Sequence, residues 1–331
     1  MKLILNRLPT LLHISRARYS HWDHVSGLPV VHHDGYTCSL PPNHPFPMEK
    51  FLKIMDVLER DDVIVREKQV VQPRPIDDGS LKLVHTAKYL DKFLNGKLSE
   101  EEQKVSGFRW KPELVERVRY ETGGTLLASK IALNRGLACS TAGGTHHAFP
   151  DRATGYCLIN DLAVAARYLK EKGLADKILI VDLDVHQGDG TAAVFKDDPS
   201  VFTFSMHCES NFPLRKEESN LDVPLLKKLE DKPYLKLLAD HLEEVLDSFR
   251  PSLVIYDAGV DVHEADNLGH LSLTDQGILK RDLYVLKQSI KRGISVCAVV
   301  GGGYSKDLDE LATRHSILHR AATRVYKEKH L

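Results

Sequence analysis

A chain of 331 residues, 42% apolar and 27% charged, is long enough for one large α/β domain or two ordinary ones and has the balance of a globular protein. Its formal net charge of −1 offers no global attraction to nucleic acid or to an anionic membrane, so neither is an expected partner. Cys38, Cys139, Cys157, Cys208 and Cys297 are scattered without C-x-x-C spacing, which excludes a disulfide framework and a thiolate metal site and fits a reducing compartment.

The first 22 residues carry Lys2, Arg7, Arg16 and Arg18 and no acid before Asp23, the pattern of an organelle transit segment or of a basic N-terminal arm. Residues 23–331 are expected to fold as one domain. From 23 to 50 the chain is rich in loops, with Pro29, Pro41, Pro42, Pro45 and Pro47. His32, His33 and His44 there read as loop histidines, because no dry strand leads into them. Helical spacing covers Met48 to Arg60 and then 82–94. A long helix is expected from Pro112 to Arg135, closed by Gly136. Gly123 and Gly124 inside it are unfavourable unless another backbone packs close. A strand at 138–141 precedes Ala142-Gly143-Gly144-Thr145-His146-His147, and Asp161 to Lys172 is amphipathic helix. Ile178-Leu179-Ile180-Val181 reads as a buried parallel strand. Further strands are expected at 201–204, 253–256 and 295–300. Helices are expected at 229–249, at 273–292 with Ser272 or Thr274 as cap, and at 307–326. Such alternation means a single α/β domain with a mainly parallel central sheet flanked by helices.

A strand as dry as 178–181 should not run into Asp182, Asp184, His186 and Asp189, since buried charge is costly unless it is paired or bound to metal. Asp184 and His186 are two apart, so on an extended backbone their side chains leave one face and make half of a divalent metal site. Gly188 and Gly190 allow a sharp turn that brings Asp189 back toward that point. In an open α/β sheet, sites form outside the carboxyl ends of the strands, and unusual residues fall there four times. They are His146 with His147, the run from Asp182 to Asp189, Asp257 to Asp261, and Gly301-Gly302-Gly303-Tyr304. Asp261 is the natural third ligand, which leaves a position open for water and substrate, the mark of a catalytic site. Asp182 and Asp189 are then free to fix the tautomers of His146 and His147. Tyr304, on its glycine turn, has a hydroxyl that could donate to an oxyanion.

Taken with Gly155-Tyr156-Cys157-Leu158-Ile159-Asn160-Asp161 and with Asp266 five residues after Asp261, these motifs resemble the zinc-dependent histone deacetylase family, which has the arginase-like α/β fold. The resemblance runs from about His44 to the last helix. Glu121-Thr122-Gly123-Gly124-Thr125, and Gln187 where many members have a second histidine, look most like the class IV branch and its bacterial and plant relatives. The resemblance implies that Asp184, His186 and Asp261 hold one zinc ion. It makes His147 the general base and acid, His146 its electrostatic partner and Tyr304 the carbonyl polariser, with Asp189 holding His147 and Asp182 holding His146. Gly155, Tyr156 and Phe212 match the walls of an acyl-lysine tunnel, and Asp182, Ser205 and Phe195 fall where the family coordinates structural potassium.

The implied activity is hydrolysis of acetyl or longer acyl groups from lysine in histones or other proteins. A small acylamide is the alternative substrate, and an acyl-lysine-binding scaffold the alternative role. Corepressor-type protein partners, chromatin regulation and a nuclear or cytoplasmic location follow from the same resemblance, with an organelle instead if residues 1–22 act as a transit segment. The acidic rim loop of class I members has no clear counterpart near 98–107, and Tyr156 stands where phenylalanine is common. Leu268 occupies the glutamate position of polyamine-deacetylating members, which argues against a cationic amine substrate. Binuclear manganese ureohydrolases share the related fold, but Gln187-Gly188-Asp189 lacks the extra ligand spacing that they need.

Overall fold

The computed structural model describes Trp22 and residues 25–331, so the expected N-terminal arm or transit segment lies outside the described residues except for Trp22. In chain order the first half comprises β1 (Val30–Val31), α1 (Lys50–Arg60), α2 (Arg66–Gln69), β2 (Val70–Val71), α3 (Asp78–Leu81), α4 (Ala87–Leu94), α5 (Glu100–Ser106), α6 (Pro112–Arg135) and β3 (Leu137–Ser140). Then come α7 (Asp161–Glu171), β4 (Ile178–Asp182), α8 (Asp189–Phe195), β5 (Val201–Cys208), β6 (Leu221–Leu225), α9 (Asp231–Phe249), β7 (Leu253–Asp257), α10 (Asp275–Lys291), β8 (Ser295–Val299) and α11 (Leu308–Lys329).

All eight strands join one sheet in the order β2-β1-β3-β8-β7-β4-β5-β6, and every pairing is parallel. The inner strands β3, β4, β7 and β8 are buried along almost their whole length, which is why they read as continuous apolar runs. Helix α6 packs on the sheet with α7 beside it, while α10 and α11 pack together and reach β8 and β3. A parallel sheet puts all its carboxyl ends on one edge, so the loops after β3, β4, β7 and β8 converge there.

Several expected elements differ. The region around 82–94 holds two short helices: α3 stops at Leu81, and Thr86 caps α4 by accepting from the Tyr89 N–H. Thr274, not Ser272, caps α10. Asp189 lies in no sharp turn; it opens α8, with Gly188 at the cap position. A dry strand does lead into His32: β1 is fully buried, and His32 itself is buried with its Nδ1 2.6 Å from Thr141 Oγ1. Gly123 has the close backbone its helical setting calls for. A Cβ there would come within 2.0 Å of the Arg74 carbonyl oxygen.

Candidate active site

The loop that leaves β4 carries Asp184 and His186, and the loop after β7 brings Asp261 to them. One donor atom from each of the three lies within 4.8 Å of the others, and all three residues are buried. His186 Nδ1 is 2.9 Å from Asp184 Oδ1 and 3.3 Å from Asp261 Oδ2. Backbone donors fix the carboxylates: the N–H groups of His186 and Gly302 donate to Asp184, and that of Val185 to Asp261. Residue 302 has to be glycine, since a Cβ would stand 2.2 Å from Asp261 Oδ2 and 2.3 Å from Asp184 Oδ2. Asp261 Oδ2 is buried with no hydrogen-bond partner. Burial, then the Asp184 charge, pushes Asp261 up to about 7. His186 rises to about 10, because the two carboxylates outweigh the burial that opposes them. Two buried acids around one imidazole, with one carboxylate oxygen that makes no hydrogen bond, form an O,N,O donor set that fits a divalent cation.

The loop after β3 places the two histidines beside this cluster, their ring centroids 4.1 Å apart. His146 Nδ1 is 2.7 Å from Asp182 Oδ2, and His147 Nδ1 is 2.6 Å from Asp189 Oδ1. With Nδ1 engaged by a carboxylate, each ring keeps Nε2 for the site. The neighbours drive the two apart. For His146, burial is outweighed by Asp182 and Asp184, so its pKa lies well above the ordinary value. Burial, then the charge on His146, pushes His147 down to about 4. A charged and a neutral imidazole side by side are an acid–base pair set by environment.

Tyr304 is buried, with its ring 6.4 Å from that of His186. Burial, then Asp184 and Asp261, keeps its phenol protonated and therefore a donor. A cavity of about 460 Å³ opens above these groups, and His147, Gly155, Tyr156, Phe212, Leu268 and Tyr304 are among its lining residues. Phe212 stands edge-on to His147 at 4.8 Å, and Tyr156 packs among Phe46, Phe108 and Tyr304. Behind His146 and His147 lies a second space of only about 30 Å³, bounded by Phe46, Lys50, Phe51, Glu121 and Cys157 among others. The stretch 98–107 is the helix α5 and its flanks, and Lys104, Val105 and Gly107 are what it presents to the mouth.

Of the residues expected at a potassium site, Asp182 and Ser205 are paired across β4 and β5. Ser205 Oγ lies 3.0 Å from His207 Nδ1. Phe195 ends α8, its carbonyl accepting from the Asp198 N–H, and no hydrogen bond among the described residues links it to that pair. Gln187 faces away from the cluster, its amide bound to Glu217 and Asp222.

Sequence reasoning passed over several supporting residues. Asp161 accepts from the Gly144 and Thr145 N–H groups and from the hydroxyls of Thr125 and Thr145. Fully buried Arg281 donates to the carbonyls of Leu183, Ala258 and Gly259, tying the two ligand loops together. Lys50, also buried, donates to the carbonyls of Gly301 and Gly303. Asp257 has both carboxylate oxygens buried without a hydrogen-bond partner, one of them 3.9 Å from His146 Nδ1. Of these, only Asp161 and Asp257 stood in motifs or strand ends that the sequence singled out.

The Histone deacetylase domain family matches residues 44–319. Over 300 residues the chain is 49% identical to an uncharacterized protein of Picosynechococcus sp., covering 91% of this chain and 100% of that one. It is 28% identical over 294 residues to Histone deacetylase 2 of Arabidopsis thaliana, covering 85% of this chain and 76% of that one. Among solved structures, an HDAC homolog complexed with SAHA superimposes with a TM-score of 0.76 at 26% identity, covering 89% of this chain and 84% of that one.

Proposed function

The chain belongs to the histone deacetylase family, a family of metal-dependent deacetylases, and from that premise we propose that it hydrolyses the acetyl amide of lysine side chains with one bound zinc ion. The observation that carries this reading is the pair of histidine–aspartate hydrogen bonds, 2.7 and 2.6 Å long, set beside the Asp184, His186 and Asp261 donor set. Zinc held by those three residues would polarise the amide carbonyl and acidify a water. His147, neutral and anchored through Nδ1 by Asp189, takes the water proton at Nε2 and then delivers it to the departing lysine nitrogen. His146, held charged by its carboxylates, supplies positive potential as the oxyanion develops, and the protonated Tyr304 hydroxyl donates to that oxyanion. Phe212 and Tyr156 keep water from the lysine stem.

Acetyl, rather than a long acyl chain, fits the space behind the histidines. At about 30 Å³ it holds a water or two, each needing about 10–15 Å³, and not a long acyl chain. The chain is of the class IV type, a reading supported by Gln187 at the position of the usual second histidine. The test is a panel of acetyl-lysine, myristoyl-lysine and small acetylamide substrates on the purified zinc-loaded protein. Turnover highest on acetyl-lysine is expected. A preference for myristoyl, or for the small amide alone, would overturn the proposal.

A further inference from the structure

Two features of the cavity mouth play no part in the chemistry at its base. The first is an apolar rim. Val105, Phe212 and Leu268 line the opening and are still 48%, 38% and 37% exposed. Leu214, two residues beyond Phe212, is 95% exposed. Seven large apolar side chains are exposed among the described residues, and these are four of them. Scattered exposed apolar residues need no explanation, but three that line one opening do.

The second feature is charge. Lys104 lies on the last turn of α5, is exposed, and lines the same opening. No ion pair among the described residues engages it. Glu100 and Glu101, a turn earlier, line the neighbouring groove beside Trp110, which Lys104 also borders, and they do not line the mouth. The mouth-lining residues include no Asp or Glu, and His270 is exposed among them. Asp266, beside Asn267 and Leu268, is turned inward and occupied. Its oxygens accept from the Leu268, Gly269 and Tyr304 N–H groups at 2.8, 2.8 and 2.7 Å.

We propose that this mouth selects acyl-lysines flanked by apolar and acidic side chains, with Lys104 reading the acidic neighbour and Val105, Phe212 and Leu268 covering the apolar one. The inference rests on the lysine deacetylase reading above and names its substrate class. A peptide whose acyl-lysine reaches His147 and Tyr304 must lay its adjacent residues across the rim, because both line the same cavity. An apolar neighbour then removes exposed surface from water on both partners. An acidic neighbour meets an unpaired ammonium. A Lys or Arg neighbour meets the same ammonium, and no carboxylate lines the mouth to offset it. A tail dense in basic residues is therefore the poorer substrate.

The test uses three acetyl-lysine peptides of one length, flanked by Leu and Glu, by Ser and Gly, or by Arg and Lys. At low salt the Leu/Glu peptide should exceed the Arg/Lys peptide about tenfold in kcat/KM, with the difference in KM. In 1 M salt, where the Debye length is about 3 Å, the charge-dependent part should shrink. Lys104→Glu, normalised to the Ser/Gly peptide, should invert the order of acidic and basic flanks. Equal values for the three peptides, or a preference for Arg/Lys, would overturn the inference. The same peptides, dye-labelled and titrated by anisotropy, separate the two claims. Binding in the expected order without hydrolysis sinks the deacetylase reading and leaves the mouth assignment standing. Hydrolysis of all three without a binding order does the reverse.

Discussion

His146 and His147 stand side by side, yet different acids hold them, and that separates what their loss should do. Only His147 is asked to move a proton in both directions, so His147→Ala should cost at least as much turnover as His146→Ala. A greater loss at His146 than at His147 in single-turnover kinetics would show that the base is assigned wrongly. Tyr304→Phe keeps the ring and removes one donor. Turnover should fall by roughly 10²–10³ while zinc stays bound, and a variant as active as the parent would remove the oxyanion role. At this scale the sequence was informative where chemistry forces an unusual residue onto a dry strand end. Asp184, His186 and Asp261 were read that way, and the fold brings them together. Arg281 and Lys50 were not legible, because an Arg or Lys on an amphipathic helix reads as a solvated face until its carbonyl partners are known. Asp257 was visible only as the end of its strand, and nothing in the sequence marks its isolation from donors.

The loop from Gly143 to His147 has no regular structure of its own, and one side chain at the start of α7 anchors its first half. Asp161→Ala would leave the N–H groups of Gly144 and Thr145 without their acceptor and would take one of two acceptors from the hydroxyls of Thr125 and Thr145, which keep the Glu121 and Ile159 carbonyls. Stability should drop by about 2–4 kcal/mol, read as a lower urea midpoint, with activity lost because the histidine pair is displaced. An unchanged midpoint would show that the loop is held by something else. Among whole elements, the long buried runs were legible in the sequence and the short or edge ones were not. β1 and β2 are two residues each, too short for any periodicity. β6 contains Asp222 and Pro224 and pairs only with β5; proline is tolerated there because the strand is an edge. α5 carries a capping box from Ser99 to Glu102, a helix-start signal that is present in the sequence. α8 was hidden by Gly188 and Gly190, which suggest a turn until Asp189 is seen at a helix start, where a carboxylate is favoured.

At the scale of the whole molecule, the interior stores neutral histidines. Burial is the leading cause in each: His32, His85 and His319 are pushed down to about 4, and His315 is lowered well below its ordinary value. In the unfolded chain each returns to about 6.5. Below 6.5 the unfolded chain therefore binds protons that the folded chain refuses. Their contribution is complete above pH 6.5 and is lost as pH falls toward 4, with a slope approaching about 1.4 kcal/mol per pH unit for each. Between pH 7.5 and pH 5.5 in urea the parent should lose more stability than a His319→Asn variant, which lacks one such histidine, and an equal loss in both would contradict it. His85 shows why: its Nδ1 faces the Phe149 carbonyl while its Nε2 accepts from the Asn160 N–H, so a second ring proton would break that bond. The parallel sheet that sets this interior also sets the site, since four strand ends deliver the donors, the histidines and the tyrosine to one edge. The measurement that tests the central claim most directly is a zinc titration of metal-stripped protein, followed by hydrolysis of an acetyl-lysine peptide. Activity should rise from near zero to a plateau at one equivalent per chain; a plateau at two equivalents, or full activity before any zinc is added, would contradict it.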